Sequence, residues 1–478
     1  MNEWNVAVIG GGITGLSTAY RLKKLAHQHP SQLHCTVFER DNRFGGKVRT
    51  HREQGFIMED GPDSILARKP AGVGLIRDLG LESELVGTLP EAQKTYILYR
   101  DRLHSIPPGT NMGIPMKIGP FATTSLLSPL GKARALLDLV ISRSRNRIDM
   151  SLGYFLRRRL GNQLVDNIVE PLLGGIYAGS VDELSLMATF PQFRTMEEKH
   201  RSLILGSMAQ RRNATTSAQT GRSAFVTLKS GLQTIVERLY DELHEWADLR
   251  SQTEVTRIRP AGNDGYIITY HDTDGDHELT VDAIVMTVPA FVAGKLLAPI
   301  VPEAKKFSKI PYVSTATVLL AYHKDSLPNT LDGAGFVIPR KEGRAITACT
   351  WTSVKWPHTT PEGYSLVRCY VGRSGQQQGL DQTDEEIVET VKNELKDILG
   401  VTVTPWFTRV SRWDSAMAQY VVNHNTAVAD IEAALATHTP GIFVAGAAYR
   451  GVGVPDCIAD GEKCALKLWT YLRTSQDE

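Results

Sequence analysis

Along the first forty residues, short continuous apolar runs alternate with a longer periodic one. Asn5-Val6-Ala7-Val8-Ile9 is unbroken and rich in β-branched residues, which predicts a strand buried on both faces. Residues 16–22 space their apolar side chains at helical intervals, and residues 33–38 read as a second strand. The same grammar returns late in the chain, where residues 441–446 form an apolar strand ending in glycine and a helix runs through Asp460, Gly461, Lys463, Ala465 and Leu468. In between, residues 232–239 predict an amphipathic helix opening after Gly231. Alternating strands follow near 255–258, 266–270 and 278–281, then a return strand at 282–289. Residues 307–400 are mostly β (315–322, 345–351, 364–371) and close on a helix at 385–399, whereas 90–222 is helical and basic. The expected fold class is therefore α/β, with a discontinuous Rossmann-like domain from residues 1–75, 222–295 and 405–478. A mixed-sheet domain at 296–404 and a helical, basic subdomain at 90–221 complete it.

Composition narrows the class without naming a chemistry. The 478 residues are 42% hydrophobic and 22% charged, as in ordinary globular proteins, and the length suits more than one domain. A formal charge of +1 gives no global attraction to nucleic acid. The longest stretch free of Lys, Arg, Asp and Glu, residues 433–449, is broken by Pro440 and by glycines, so no transmembrane span is predicted. Met1-Asn2-Glu3-Trp4 lacks the basic region of a signal peptide. Five cysteines without a CxxC pair point to a reducing, cytoplasmic compartment with neither a disulfide framework nor a metal site.

The strongest chemical signal sits between the first strand and the first helix. Gly10-Gly11-Gly12-Ile13-Thr14-Gly15 is a G-x-G-x-x-G turn. Gly10 permits the tight turn, Gly12 lets the backbone approach a pyrophosphate, and Gly15 lets helix and strand pack closely. Free N–H groups and the helix dipole then hold the phosphates. Glu39, with Arg40 beside it, follows 24 residues after Gly15, where a carboxylate accepts hydrogen bonds from a ribose diol and repels a 2′-phosphate.

Further motifs follow in order. Arg43-Phe44-Gly45-Gly46-Lys47-Val48-Arg49-Thr50 is a second glycine pair, and Glu59-Asp60-Gly61-Pro62-Asp63-Ser64 is a turn-rich loop. Arg412-Trp413-Asp414-Ser415-Ala416-Met417-Ala418-Gln419-Tyr420 comes late, ahead of Gly446 and of Gly451-Val452-Gly453-Val454-Pro455-Asp456. Together these resemble the glycine-doublet flavoproteins, the superfamily of amine oxidases, phytoene desaturases and protoporphyrinogen oxidases.

That resemblance implies non-covalent FAD. It places Lys47 and Arg49 near the diphosphate, Gly61, Pro62, Asp63 and Ser64 beside the flavin, and Val255 where backbone groups read the adenine. Gly446, Val452, Gly453 and Val454 would face the flavin at a helix N-terminus, whose positive end stabilises charge developing on reduction. Trp413 is either a cofactor contact or core. Asp414 and Ala418 stand where the family element carries prolines, which bears on that loop's rigidity.

Glu170-Pro171-Leu172-Leu173-Gly174-Gly175-Ile176-Tyr177-Ala178-Gly179-Ser180, followed by Leu184-Ser185, resembles an element of the protoporphyrinogen and coproporphyrinogen oxidases, and Asp101–Gly109 fits the same family. The resemblance implies a porphyrinogen substrate, dioxygen as terminal oxidant, and the soluble Gram-positive type acting on coproporphyrinogen III. A porphyrinogen loses six electrons, so a two-electron flavin turns over three times and protein acid–base groups can be few. No single catalytic residue is singled out, and the thirteen histidines are scattered. Gly175, lacking a side chain, would let the macrocycle approach. Lys69, Arg100 and Arg102 are either partners for its carboxylates or solvating charge. Residues 132–159 carry eight Lys/Arg against two acids beside apolar Leu136-Leu137 and Leu139-Val140-Ile141. This stretch reads either as a peripheral membrane surface, or contact for the next heme-pathway enzyme, or as a helical subdomain packed inward. The rivals are another doublet flavoenzyme, conceivably linked through Cys457, and a non-enzymatic flavin scaffold.

Overall fold

A computed structural model describes residues 3–29, 32–217, 223–262, 265–327 and 331–474. Met1, Asn2 and the expected 221/222 boundary lie outside the described residues.

Five parallel strands form the central sheet in the order Asp248–Arg250, Gln32–Phe38, Glu3–Ile9, Ala283–Met286, Ile442–Val444. Its first strand explains the unbroken apolar run. Val6 and Val8 turn into one core with the helices Ile13–His27, Gln233–Leu243 and Val454–Thr474. Ala7 and Ile9 turn into another, roofed by the antiparallel strands Glu254–Pro260, Tyr266–Asp272 and Gly275–Val281. A strand covered on both faces has no polar side to show.

The second sheet has seven strands, in the order Phe407–Ala418, Tyr312–His323, Tyr364–Val371, Ile346–Thr350, Gly335–Val337, Thr95–Tyr99, Arg102–Ser105. One face packs on helix Asp384–Leu399 through Val318, Leu320, Val367, Ile387 and Val391. That helix starts with a Thr383/Glu386 capping box, one residue before the expected 385, and ends at Gly400. The sheet draws on more of the chain than expected. Strands 95–99 and 102–105 belong to it rather than to the helical part, and strand 407–418 pairs with 312–323 rather than with the nucleotide domain. Both are edge additions from distant segments, which no local pattern announces.

Helices between residues 118 and 217 close the other side around Phe155, Leu156, Leu164, Ile168 and Phe193. Among the described residues no helix is long and apolar enough to cross a membrane.

Candidate flavin site and the sheet face beside it

The first glycine loop shows what it is built to hold. Gly10 has φ +110°, and a Cβ on Gly15 would lie 2.0 Å from the Gly10 carbonyl oxygen, so both serve the turn and the helix contact. Gly12 differs: a Cβ there meets no atom within 4 Å, and its φ of −72° suits any residue. Its lack of a side chain keeps space open rather than shaping the chain. Helix 13–27, which starts there at Ile13 and Thr14, has no side-chain cap and no acid in its first turn, leaving N–H groups for an anion. Glu39 accepts the N–H groups of Gly11 and Asp41, each at 2.9 Å, and burial raises its carboxyl above the ordinary value. Arg40 stays exposed. Gly45 donates to the Gly11 carbonyl at 2.8 Å, so the second glycine pair lies against the first loop. These features fit a dinucleotide whose diphosphate passes Gly12.

Lys47 points elsewhere than expected. Its ammonium donates to the Ala416 carbonyl, beside Cys457 near the start of helix 454–474, and burial lowers it below its ordinary value. Its side chain remains accessible to solvent. Arg49 does not reach for phosphate either; it pairs with Asp60 at 3.1 Å.

The 59–64 loop is a hub rather than a surface turn. The Asp60 carbonyl accepts Thr317 Oγ1, Arg368 Nη2 and Trp413 Nε1 at 3.0, 3.1 and 2.9 Å. Its carboxylate takes Arg409 and Ser411; burial would raise it, but these partners hold it below the usual range. Asp63 is half-buried, and Lys355 and Arg368 overcome its desolvation to hold it well below the usual range. Its side chain is thus committed to Lys355 and to Ser64, while the Gly61 carbonyl accepts Arg368, a Cβ on Gly61 would lie 1.9 Å from the Lys47 carbonyl oxygen, and Pro62 is half-buried. Trp413 is half-buried, and its Nε1–H fixes this loop. Glu59 is pushed up to about 7 by burial, against hydrogen bonds from Leu232 N–H at 2.7 Å and Thr50 Oγ1 at 2.9 Å.

On the far side, Gly446 N–H donates to Asp460 Oδ2 at 2.8 Å, and Gly451 N–H to Tyr420 Oη at 2.7 Å. Val452, Gly453 and Val454 lead into the terminal helix. Cys457 is buried and its thiol is raised to about 11, which does not suit covalent attack. Val255 lies in strand 254–260 at a bulge, opposite Tyr270, close behind the backbone bond from Thr253 N–H to the Glu39 carbonyl.

The second wall is the sheet face turned away from helix 384–399. Alternation places Val337, Ala348, Thr350, Arg368 and Tyr370 on it, and all but Arg368 are only half-buried. Helix Glu170–Tyr177 lies against strands 335–337 and 346–350 and leaves Gly175 and Ile176 exposed. A Cβ on Gly175 would meet nothing within 4 Å.

The three expected carboxylate partners are not gathered at one point. Lys69 pairs with Asp456. Arg100 is exposed over the Tyr99 ring at 5.2 Å, and Arg102 lies opposite Tyr99 in the edge hairpin. Of the basic stretch, Lys132, Arg134, Arg157, Arg158 and Arg159 bond to protein carbonyls or carboxylates, Arg159 fully buried against Asp138. Only Arg143, Arg145 and Arg147 stay exposed, beside Val140 and Ile148 at 64% and 71% exposure. Sequence reading missed Arg368, Thr317 and Arg409; a lone Arg inside the apolar strand 364–371 was the available signal, because buried charges are rare unless paired.

Residues 13–468 match the model of the flavin-containing amine oxidoreductases. The chain belongs to that family. Within this flavin-containing family, it is 41% identical over 470 residues to the coproporphyrinogen III oxidase of Bacillus subtilis strain 168, covering 98% of each chain. To that of Staphylococcus aureus it is 39% identical, covering 97% of this chain and 98% of the other. A solved protein from Exiguobacterium sp. 255-15, described as a protoporphyrinogen oxidase, superposes with a TM-score of 0.86 at 34% identity, over 98% of this chain and 99% of its own. The chain is thus an oxidoreductase of the flavin type, with the discontinuous nucleotide domain and separate sheet that its motifs implied.

Proposed function

We propose that this flavoenzyme oxidises coproporphyrinogen III to coproporphyrin III, coproporphyrinogen III + 3 O2 → coproporphyrin III + 3 H2O2, in heme biosynthesis in the cytoplasm. Protoporphyrinogen IX is the second substrate it would accept. The observation that carries the reading is the exposed Gly175, with open space where a Cβ would sit, on a helix packed against strands 335–337 and 346–350 of the half-open sheet wall. Likeness to named coproporphyrinogen III oxidases over nearly the whole chain supports it.

Gly12, Glu39, Gly45, Lys47, Gly61, Trp413 and Gly446 would hold FAD. Bound flavin supplies a two-electron acceptor, so six electrons leave in three turnovers. The protein's own task is positioning. The open wall presents Val337, Ala348 and the hydroxyls of Thr350 and Tyr370, a surface for a flat, largely apolar ring rather than for proton transfer. The free, buried cysteines suit a reducing compartment.

Under argon, coproporphyrinogen III should bleach the yellow holoprotein and admitted oxygen should restore it. Flavin that stays oxidised would contradict the reading. The exposed Arg143, Arg145 and Arg147 with Val140 and Ile148 form the surface for peripheral membrane contact. Co-sedimentation with anionic vesicles, lost on replacing the three arginines by Glu, is the expected outcome; no sedimentation of the wild type would return this loop to solvent.

A further inference from the structure

One guanidinium grips both ends of helix 170–177. Arg340 lies in the turn after strand 335–337. Its Nε–H donates to Glu170 Oε1 at 2.6 Å, and its Nη2 to the Gly179 carbonyl at 2.8 Å. The third arm, Nη1, donates to the Ser374 carbonyl at 2.6 Å. Glu170 opens the helix and Gly179 is the second residue beyond its end. Ser374 N–H returns the tie by donating to the Ala178 carbonyl at 2.7 Å. The next residue, Lys341, donates to Asn167 Oδ1, about one turn before Glu170. The Arg340–Lys341 pair thus joins this helical segment to the substrate sheet.

The grip explains why the paired glycines differ. A Cβ on Gly174 would lie 2.9 Å from the Gly179 carbonyl oxygen and 3.1 Å from Glu170 Oε1, so that residue is small to let the tie close. A Cβ on Gly175 would meet nothing, so that residue leaves open space beside the helix rather than room for the clasp.

We propose that Arg340 is a positioning residue that sets the gap between helix 170–177 and the open face of the sheet, and so governs how tightly a tetrapyrrole fits between them. The inference rests on the functional reading above. A planar fork with three donors reaches three acceptors at once, which a lysine ammonium on a flexible stem does not reproduce. All three acceptors belong to the protein, two of them at the ends of the helix, so Arg340 acts through the helix it holds.

The test uses FAD-loaded Arg340→Met, Arg340→Lys and Arg340→Ala. Coproporphyrin III affinity is read by fluorescence quenching, KM and kcat by porphyrin formation, and amide exchange on the 170–179 segment by mass spectrometry. The expected result is unchanged flavin content and spectrum, with porphyrin affinity down tenfold or more in Arg340→Met. KM should move more than kcat, and amide exchange should be faster at 170–179 alone. Arg340→Lys should recover only a minor part, and methylguanidinium added to Arg340→Ala should restore affinity severalfold, since the site is partly open to solvent. Where Arg340→Met does not fold, Glu170→Gln gives the same readings with a loss of twofold to fivefold. Unchanged affinity and exchange in a folded variant would overturn the inference. Wild-type protein that binds no porphyrin would overturn the functional reading, while exchange at 170–179 would still decide the clasp.

Discussion

The Lys69 ammonium lies 2.6 and 2.5 Å from the two carboxylate oxygens of Asp456, in the first turn of the terminal helix. Two of the three ammonium donors thus serve Asp456, and a substrate carboxylate at Lys69 would compete with that anion for one cation. Lys69→Met should raise KM for coproporphyrinogen III about ten- to a hundredfold, the worth of a desolvated charge-assisted bond. Asp456→Asn should shift KM the opposite way. Steady-state kinetics on both variants settles the matter, since a structural pair would leave both constants alike.

Gly12 and Gly15 should part company under the same substitution. Gly12→Ala has room and an ordinary backbone, so the chain should fold but lose most of its FAD, and Gly12→Val should lose all of it. Gly15→Ala drives a methyl to 2.0 Å from a carbonyl oxygen and should fail to fold stably. Flavin content and circular dichroism on purified variants separate the two; loss of fold in Gly12→Ala would contradict this assignment.

Glu59 makes stability depend on pH. Burial raises its carboxyl from 4.5 to about 7 in the folded chain. Below pH 4.5 the group is protonated whether folded or unfolded, and its contribution is fully present. As pH rises toward 7 the unfolded chain releases its proton first, so that contribution is lost. Urea unfolding at pH 5 and 8 should show wild type losing on the order of 3 kcal/mol more than Glu59→Gln between those points. Parallel losses would show that Glu59 ionises normally.

His424 is the histidine best placed to be mistaken for a catalyst. It stacks on Tyr420 with centroids 4.0 Å apart, and its Nε2 meets the Tyr449 carbonyl at 3.1 Å, while burial lowers its pKa. Its bonds run to the core, so His424→Gln should keep kcat within about tenfold, less than a positioned acid–base group is usually worth. A folded, flavin-loaded variant slower by several orders of magnitude would refute a purely positioning protein.

The nucleotide half was legible because its signals are local. Strand 3–9, the glycine loop and Glu39 fall within forty residues, and each reports its own backbone requirement. Strand 364–371 was equally readable, and the helix expected at 385–399 starts one residue earlier, at Asp384. What stayed hidden depends on distant partners: Arg409 and Arg368 converge on the 59–64 loop from some 300 residues away. The charge run at 132–159 left two readings open for the same reason, since Arg157, Arg158 and Arg159 meet Asp166, Asp182, Glu197 and Asp138 only after folding. The reach of Lys47 to Ala416 rather than to the diphosphate loop likewise needs the fold.

The most direct measurement follows dioxygen uptake, hydrogen peroxide and porphyrin fluorescence together as holoprotein meets coproporphyrinogen III. Three peroxides should appear for each coproporphyrin III, with three dioxygen molecules consumed, and the ratio should hold through the reaction. A folded, FAD-loaded protein that forms no porphyrin, or forms it with a different peroxide ratio, would contradict the account.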